Sequence, residues 1–436
     1  MSNSPNSRTG LSRRSFLAAA SAAVAAPMVI PASALGKAGR PAPSERIVMG
    51  CVGVGGMGTG NMHSFLGQGD TQIIMACDIF KLHLQGAVST INNHYKNQDC
   101  IGTPEFMDVV TNPKIDALSI ALPDHWHAIP AVIGARHGKD IYGEKPLAHS
   151  IVEGRAICSA MRQYGRIWQT GSWQRSQGNF RAGAELVLNG YIGKVHTVEV
   201  GLPSGGGDDN RPLRPENPPE GFDWDRWLGP APWAPYSQGI VHFDWRWNLD
   251  YGGGQLTDWI GHHCDIAHWG MGIDTFGGPL EVEGVGEYRK TGLYNSASRY
   301  RITCKYPNDI TMTIAGGHND IRSGAKWIGP DGWVWVDRGG FETFPKDLMK
   351  LADAPKKINL LRSPGHQREF LDCVRSRRLT IADCEIAQRS MSPAYLGQIA
   401  MLLGRKIKWD AKTEQIIGDE AASRMLGRAY REPWQL

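Results

Sequence analysis

One stretch constrains this chain more than any other: an apolar run from Arg46 to Val54 that ends in a cluster of glycines. Its residues are apolar at successive rather than alternate positions, as expected of a strand buried on both faces. It runs into Gly53-x-Gly55-x-x-Gly58, with Gly56 and Gly60 added, and Asn61 to Leu66 then reads as helix. Gln72 to Cys77 reads as a second strand, closed by Asp78 about 20 residues beyond the last motif glycine. A strand, a glycine turn, a helix and a strand ending in an acid can fold as little else than the first half of a doubly wound sheet.

The glycines permit a tight turn and a close backbone approach to a pyrophosphate, which sits on the helix N-terminus. Asp78 would accept hydrogen bonds from ribose hydroxyls and repel a 2′-phosphate, so the motif favours NAD over NADP, with Lys81 moderating the preference. The cofactor candidates here are Gly53, Gly55, Gly56, Met57, Gly58 and Asp78.

Strand and helix signals keep alternating as far as residue 170. Helices are expected over Ile79–His94, Pro104–Val110 and Ile151–Tyr164, and strands over Ile115–Leu122, Asp140–Gly143 and Arg166–Gln169. Ligands of such parallel sheets bind beyond the carboxyl ends of the strands. Two post-strand turns should therefore line the crevice. One, Pro123-Asp-His-Trp-His127, contributes Pro123, His125 and His127. The other, Gly143-Glu-Lys-Pro-Leu147, contributes Glu144 and Lys145.

The pattern changes after a helix over Gly178–Asn189. Lys194–Gly201, Leu280–Tyr288, Ser298–Tyr306, Ile310–Ala315 and Gly332–Val336 alternate with a period of two, which predicts a second, mostly antiparallel sheet. Pro203 to Trp247 is a long insert containing Trp224, Trp227, Trp233, Trp245 and Trp247. Loops of that length are functional or disordered, and so much tryptophan argues against disorder. The indoles could face sugar C–H surfaces or pack the loop onto itself. Helices are expected over Gly365–Ser376 and Cys384–Leu403.

The insert leads into Thr257-Asp-Trp-Ile-Gly-His-His263. On a helix, Asp258 and His262 share a face, with Asp265 on the same side and His263 pointing elsewhere. No metal-ligand spacing recurs and no cysteine is placed for one, so no metal is expected. Acid–base chemistry on a hydroxyl fits better. A histidine can take the proton, an aspartate can fix its tautomer or hold the substrate, and a lysine can hydrogen-bond the same oxygen.

Ser12-Arg-Arg-Ser-Phe-Leu17, the apolar run Ala18–Ile30 and Ala32-Ser-Ala34 read as a twin-arginine signal over residues 1–34 and predict a periplasmic location. Residues 35–44 read as a linker. The chain carries a formal charge of +4, and the leader holds three arginines and no acid. The remainder is near neutral at +1, with 44 basic against 43 acidic side chains. That gives no electrostatic case for nucleic-acid or membrane partners. The twin-arginine route carries folded proteins, so the eight cysteines are expected mostly as buried free thiols.

Taken together, the glycine turn, the Glu144-Lys-Pro146 turn, the Asp258-x-x-x-His262 helix and the division at about residue 170 resemble the glucose-fructose oxidoreductase / inositol dehydrogenase / rhizopine catabolism (Gfo/Idh/MocA) family. The resemblance implies an α/β protein. A Rossmann doubly wound parallel sheet would occupy residues 45–170, and an α+β domain with a large mostly antiparallel sheet residues 171–436. It assigns Lys145, Asp258 and His262 as catalytic residues. It expects substrate contacts from Lys145, Trp173, Arg175, Trp245, Asp258, His262 and His263, and a homo-oligomer, dimer or tetramer, formed through the open sheet face. Glucose-fructose oxidoreductase has a tyrosine where this chain has His262, so the pattern is nearer that of inositol dehydrogenase.

The implied activity is hydride transfer between a sugar, cyclitol or glycoside hydroxyl and a tightly bound NAD, with His262 as base and Asp258 as its orienter. The alternative is an NAD-dependent glycosidase working by transient oxidation and elimination. A non-catalytic sugar-binding protein would have no use for Lys145, Asp258 and His262 together.

Overall fold

The computed structural model describes residues 41–206, 214–272, 277–352, 354 and 356–436. The expected leader and the first part of the linker lie outside the described residues.

Alternation to residue 170 is realised as β1 (Ile47–Val52), α1 (Gly56–Leu66), β2 (Thr71–Cys77), α2 (Lys81–Tyr95), β3 (Ile101–Thr103), α3 (Phe106–Val110), β4 (Ala117–Ile120), α4 (Ala128–Arg136), β5 (Asp140–Gly143), α5 (Ile151–Gln163) and β6 (Trp168–Thr170). The six strands form one parallel sheet in the order β3-β2-β1-β4-β5-β6. The order reverses between β1 and β4, which places a ligand crevice beyond their carboxyl ends. There Gly53 leaves β1 at φ +81°, and a Cβ on it would lie 2.3 Å from the Ala121 carbonyl oxygen. A Cβ on Gly58 would lie 2.0 Å from the Gly53 oxygen, so α1 can start against the strand only because that position has no side chain.

The second half comprises α6 (Gly178–Leu188), β7 (Thr197–Leu202), α7 (Trp224–Leu228), α8 (Gly254–Met271), β8 (Glu281–Glu287), β9 (Arg299–Lys305), β10 (Thr311–Gly316), β11 (Gly324–Gly329), β12 (Gly332–Asp337), β13 (Gly340–Phe344), α9 (His366–Ser376), α10 (Cys384–Leu403), β14 (Ile407–Asp410) and β15 (Gln415–Ile416). Nine strands form the sheet β13-β12-β11-β7-β10-β9-β8-β14-β15, antiparallel except for the β7–β10 pair. This is the expected α/β class with a mostly antiparallel second sheet.

Helix α8 is buried on nearly all sides, the situation of a helix at the centre of a fold rather than on its surface. It lies against the second sheet, where the Trp327 indole donates to the Ala267 carbonyl at 2.9 Å. Helix α9 returns to the first sheet. Phe370 meets Phe65 and Tyr142 edge-on at centroid distances of 6.1 and 5.9 Å. All eight cysteines are buried and free. No helix among the described residues is long and apolar enough to cross a membrane.

The tryptophans of the insert mainly pack the insert down. Trp227, Trp245 and Trp247 are buried in one apolar cluster with Phe222, Tyr236 and Tyr251, and Trp224 stacks on Trp227 at 4.9 Å. Trp233 alone of the five stands well exposed.

Candidate active site

Strand β5 delivers Glu144 and Lys145 to the end of the first sheet. Glu144 is buried and accepts from the Asn61 amide at 2.9 Å, which ties this turn to α1. His127 holds the same turn from the other side, with its two ring nitrogens facing the Pro146 and Leu122 carbonyl oxygens at 2.7 and 2.8 Å. Lys145 then reaches α8. A Cβ on Gly261 would come within 3.1 Å of the Lys145 Cβ, so the bare backbone at 261 makes room for the lysine.

Lys145 Nζ donates to Asp258 Oδ1 at 2.9 Å, and Arg246 Nε donates to the same oxygen at 2.9 Å. Burial pushes the Asp258 carboxyl up, but the two cations more than offset this and hold it well below the usual carboxylate range. Arg246 is itself fixed, its guanidinium lying over the Phe243 and Trp245 rings at 4.3 and 4.4 Å.

His262 stands one turn further along α8. Burial, then the Lys145 and Arg338 charges, hold its imidazole well below the ordinary histidine range. It is therefore neutral, and its Nδ1 is buried without a hydrogen-bond partner. Trp259 and Trp173 present edges to the ring at 5.4 and 6.2 Å. In the amide orientation that satisfies both neighbours, Gln174 donates to the His262 carbonyl oxygen and accepts from Arg338 Nε, each at 3.0 Å. A neutral base, a lysine and an ionised carboxylate thus meet beside the crevice of the parallel sheet.

Several expectations need correction. Asp258 does not fix the His262 tautomer; its partners are Lys145 and Arg246. Arg175 is no substrate ligand, being buried in an ion pair with Asp265, Nε to Oδ2 at 2.6 Å. Asp265 in turn accepts from Ser390 Oγ at 2.6 Å, which removes it from the site. His263 faces Asp337 at 3.5 Å and Trp259, turned to the sheet side by its place one residue along the helix. Trp245 is buried beneath Arg246 and so positions that arginine rather than facing a ligand. His125 is buried between Trp227 and Tyr251, its Nε2 facing the Trp227 carbonyl at 2.9 Å. It anchors the insert and is not available to a cofactor. Arg246, Arg338, Trp259 and Gln174 carry no spacing signal and were not legible in the sequence.

The buried histidines set a pH dependence. Burial lowers His125 and His268 to about 3, and His263 and His366 to about 4. In the unfolded chain each would titrate near about 6.5. Between those values the unfolded state binds more protons, so stability is complete above about pH 6.5 and is lost as pH falls towards 4. Thermal midpoints measured from about pH 7 down to about pH 5 should fall steadily. A midpoint that stays level over that range would contradict neutral burial of these rings.

The residues at the end of β1 fit a dinucleotide. N-cap Gly55 offers no side chain to the first turn of α1, so that turn's N–H groups are left for a phosphate. A Cβ on Gly56 would meet nothing within 4 Å, leaving an open cradle over the turn, where Met57 is half exposed. Asp78 Oδ2 accepts from the Val54 N–H at 3.0 Å, which sets its carboxylate beside the glycine loop, where a ribose would lie. Pro123 opens the turn after β4 on the other side of the crevice.

Comparison with known proteins agrees. Residues 47–172 match the family described as "Oxidoreductase family, NAD-binding Rossmann fold", and residues 206–436 match "Oxidoreductase family, C-terminal alpha/beta domain". The chain is 32% identical over 87 residues to scyllo-inositol 2-dehydrogenase (NAD(+)) of Bacillus subtilis, covering 20% of this chain and 25% of that protein. It is 30% identical over 154 residues to inositol 2-dehydrogenase of Rubrobacter xylanophilus, covering 34% and 42%. The chain thus spans less than half the length of these curated relatives. Among solved structures, scyllo-inositol dehydrogenase from Lactobacillus casei superposes with a TM-score of 0.58 at 16% identity, over 83% of this chain and 99% of that one. On the two matched segments, which together take in most of its length, the chain belongs to the Gfo/Idh/MocA oxidoreductase family.

Proposed function

We propose that this protein oxidises a secondary hydroxyl of a sugar, cyclitol or glycoside. The observation that carries the reading is the neutral, buried His262 beside the Lys145–Asp258 pair. NAD, when bound, supplies the hydride acceptor. His262 takes the hydroxyl proton, Lys145 hydrogen-bonds the same oxygen as charge develops on it, and Asp258 with Arg246 keeps Lys145 in place.

The leader supports export by the twin-arginine route to the periplasm, where free NAD is not expected. The cofactor would then be taken up before export and reset on the protein each cycle. The insert supports such retention. Lys81 N–H donates to the Gly221 carbonyl at 2.9 Å, Phe222 meets Phe80 at 5.5 Å, and His242 meets His83 at 5.9 Å. The segment is thereby fastened to the strand end that carries Asp78. Assembly into a homo-oligomer through the second sheet is favoured by exposed apolar positions on its strands, such as Val285.

The test uses protein purified without added cofactor. The reduced-nicotinamide absorbance band is recorded before and after adding a panel of sugars, cyclitols and aryl glycosides, with aglycone release assayed in parallel. Reduction without bond cleavage is the expected result. Aglycone release without net reduction would move the reading to redox-neutral glycoside cleavage. Absence of bound nicotinamide would contradict retention.

A further inference from the structure

Arg338 stands in the turn between β12 and β13, and its charge is one of those that hold the His262 imidazole down. Its guanidinium lies over the Trp173 ring at 4.6 Å and over the Trp259 ring at 4.5 Å. These are the two indoles that edge the His262 ring. The arginine is therefore held in the same aromatic frame as the base. With two rings against the planar group, its terminal donors act from its edge.

It has no carboxylate partner within ion-pair distance among the described residues. Its neighbour Asp337 is turned towards His263 and accepts from the Arg338 backbone N–H at 2.7 Å. Among the described residues Gln174 is the hydrogen-bond partner of the guanidinium, through Nε, and none meets the terminal nitrogens. Lys145 and Arg246 both lean on the single carboxylate of Asp258. The other nearby acids, Asp124 and Glu144, are buried, and burial pushes both carboxyls up. Lys145, Arg246 and Arg338 thus stand around Asp258, with the Asp337 carboxylate beside Arg338.

We infer that the substrate carries a carboxylate, and that Arg338 binds it. The substrate class is then a uronic acid or another acidic sugar or cyclitol. This rests on the reading of the site as one that oxidises a hydroxyl. A carboxylate fits better than a phosphate because Arg338 offers one fork, while Lys145 and Arg246 are already engaged.

Binding decides it separately from turnover. The NADH-loaded full chain would be titrated with D-glucuronate, D-galacturonate, their methyl esters and glucose 6-phosphate, following the fluorescence of the flanking tryptophans. A uronate is expected to bind about ten-fold or more tightly than its ester. Arg338→Gln should bring that ratio near unity, and Arg338→Lys should restore part of it. NADH binding by each variant shows that it is folded. Equal binding of every uronate and its ester, a preference that survives Arg338→Gln, or stronger binding of the sugar phosphate would each overturn the inference. If uronates bind through Arg338 yet no sugar ever reduces the nicotinamide, the proposed reaction fails while the anion site stands.

Discussion

Replacement of Lys145 by alanine is expected to lower turnover by about 10²–10⁴-fold, the range typical of losing a positioned proton-handling group. The fold should survive, because Asp258 keeps Arg246 as a partner at 2.9 Å and is not left as an unpaired buried charge. Cofactor affinity should survive too, since the glycine turn and Asp78 that would hold the dinucleotide follow the ends of β1 and β2. The loss should therefore appear in kcat, with NADH binding by fluorescence close to wild type. His262→Ala should behave alike. The double variant should be little worse than the poorer single one, because the two groups act on one proton. Near wild-type kcat in either single variant would remove that residue from the chemistry.

Arg175→Met is expected to destabilise the protein by about 3–5 kcal/mol, the usual cost of stranding one member of a buried ion pair. Both side chains are 2% exposed, and the contact is bidentate, with Nε to Oδ2 at 2.6 Å and a second bond to Oδ1 at 3.0 Å. Trp269 covers the guanidinium at 5.1 Å. Removing the arginine would leave the buried Asp265 carboxylate with, among the described residues, the Ser390 hydroxyl as its one side-chain donor. Replacing both partners, Arg175→Met with Asp265→Leu, should recover much of the loss. Urea unfolding followed by kinetics on the folded fraction separates the roles. Lost stability with unchanged KM is the outcome expected of a structural pair. A raised KM with full stability would return Arg175 to the substrate site.

How much of this was legible in the sequence depended on whether the signal was local. Most of the parallel sheet was, because its longer strands are apolar runs bounded by turns: Asp140–Gly143 occurs as read, and α10 runs over Cys384–Leu403 as expected. Strands without that contrast were not. Ile101–Thr103 has three residues, and Gly324–Gly329 begins and ends in glycine, so neither shows a period. At the site, helix spacing put Asp258 and His262 on one face, but it could not say what each would meet. Asp258 turned to Lys145 because β5 ends opposite α8, a long-range fact. Arg175 was drawn to Asp265 for the same kind of reason. Arg246 and Arg338 come from an irregular insert and a hairpin turn, where no periodicity points a side chain anywhere.

The most direct measurement follows the hydrogen. A sugar or cyclitol found active in the panel, deuterated at the carbon to be oxidised, is incubated with the wild-type protein, and the nicotinamide is recovered by denaturation and weighed by mass spectrometry. Deuterium in the recovered reduced cofactor, absent from the Lys145→Ala and His262→Ala proteins, is the predicted result. Product formed while the nicotinamide never carries deuterium would contradict hydride transfer at this site.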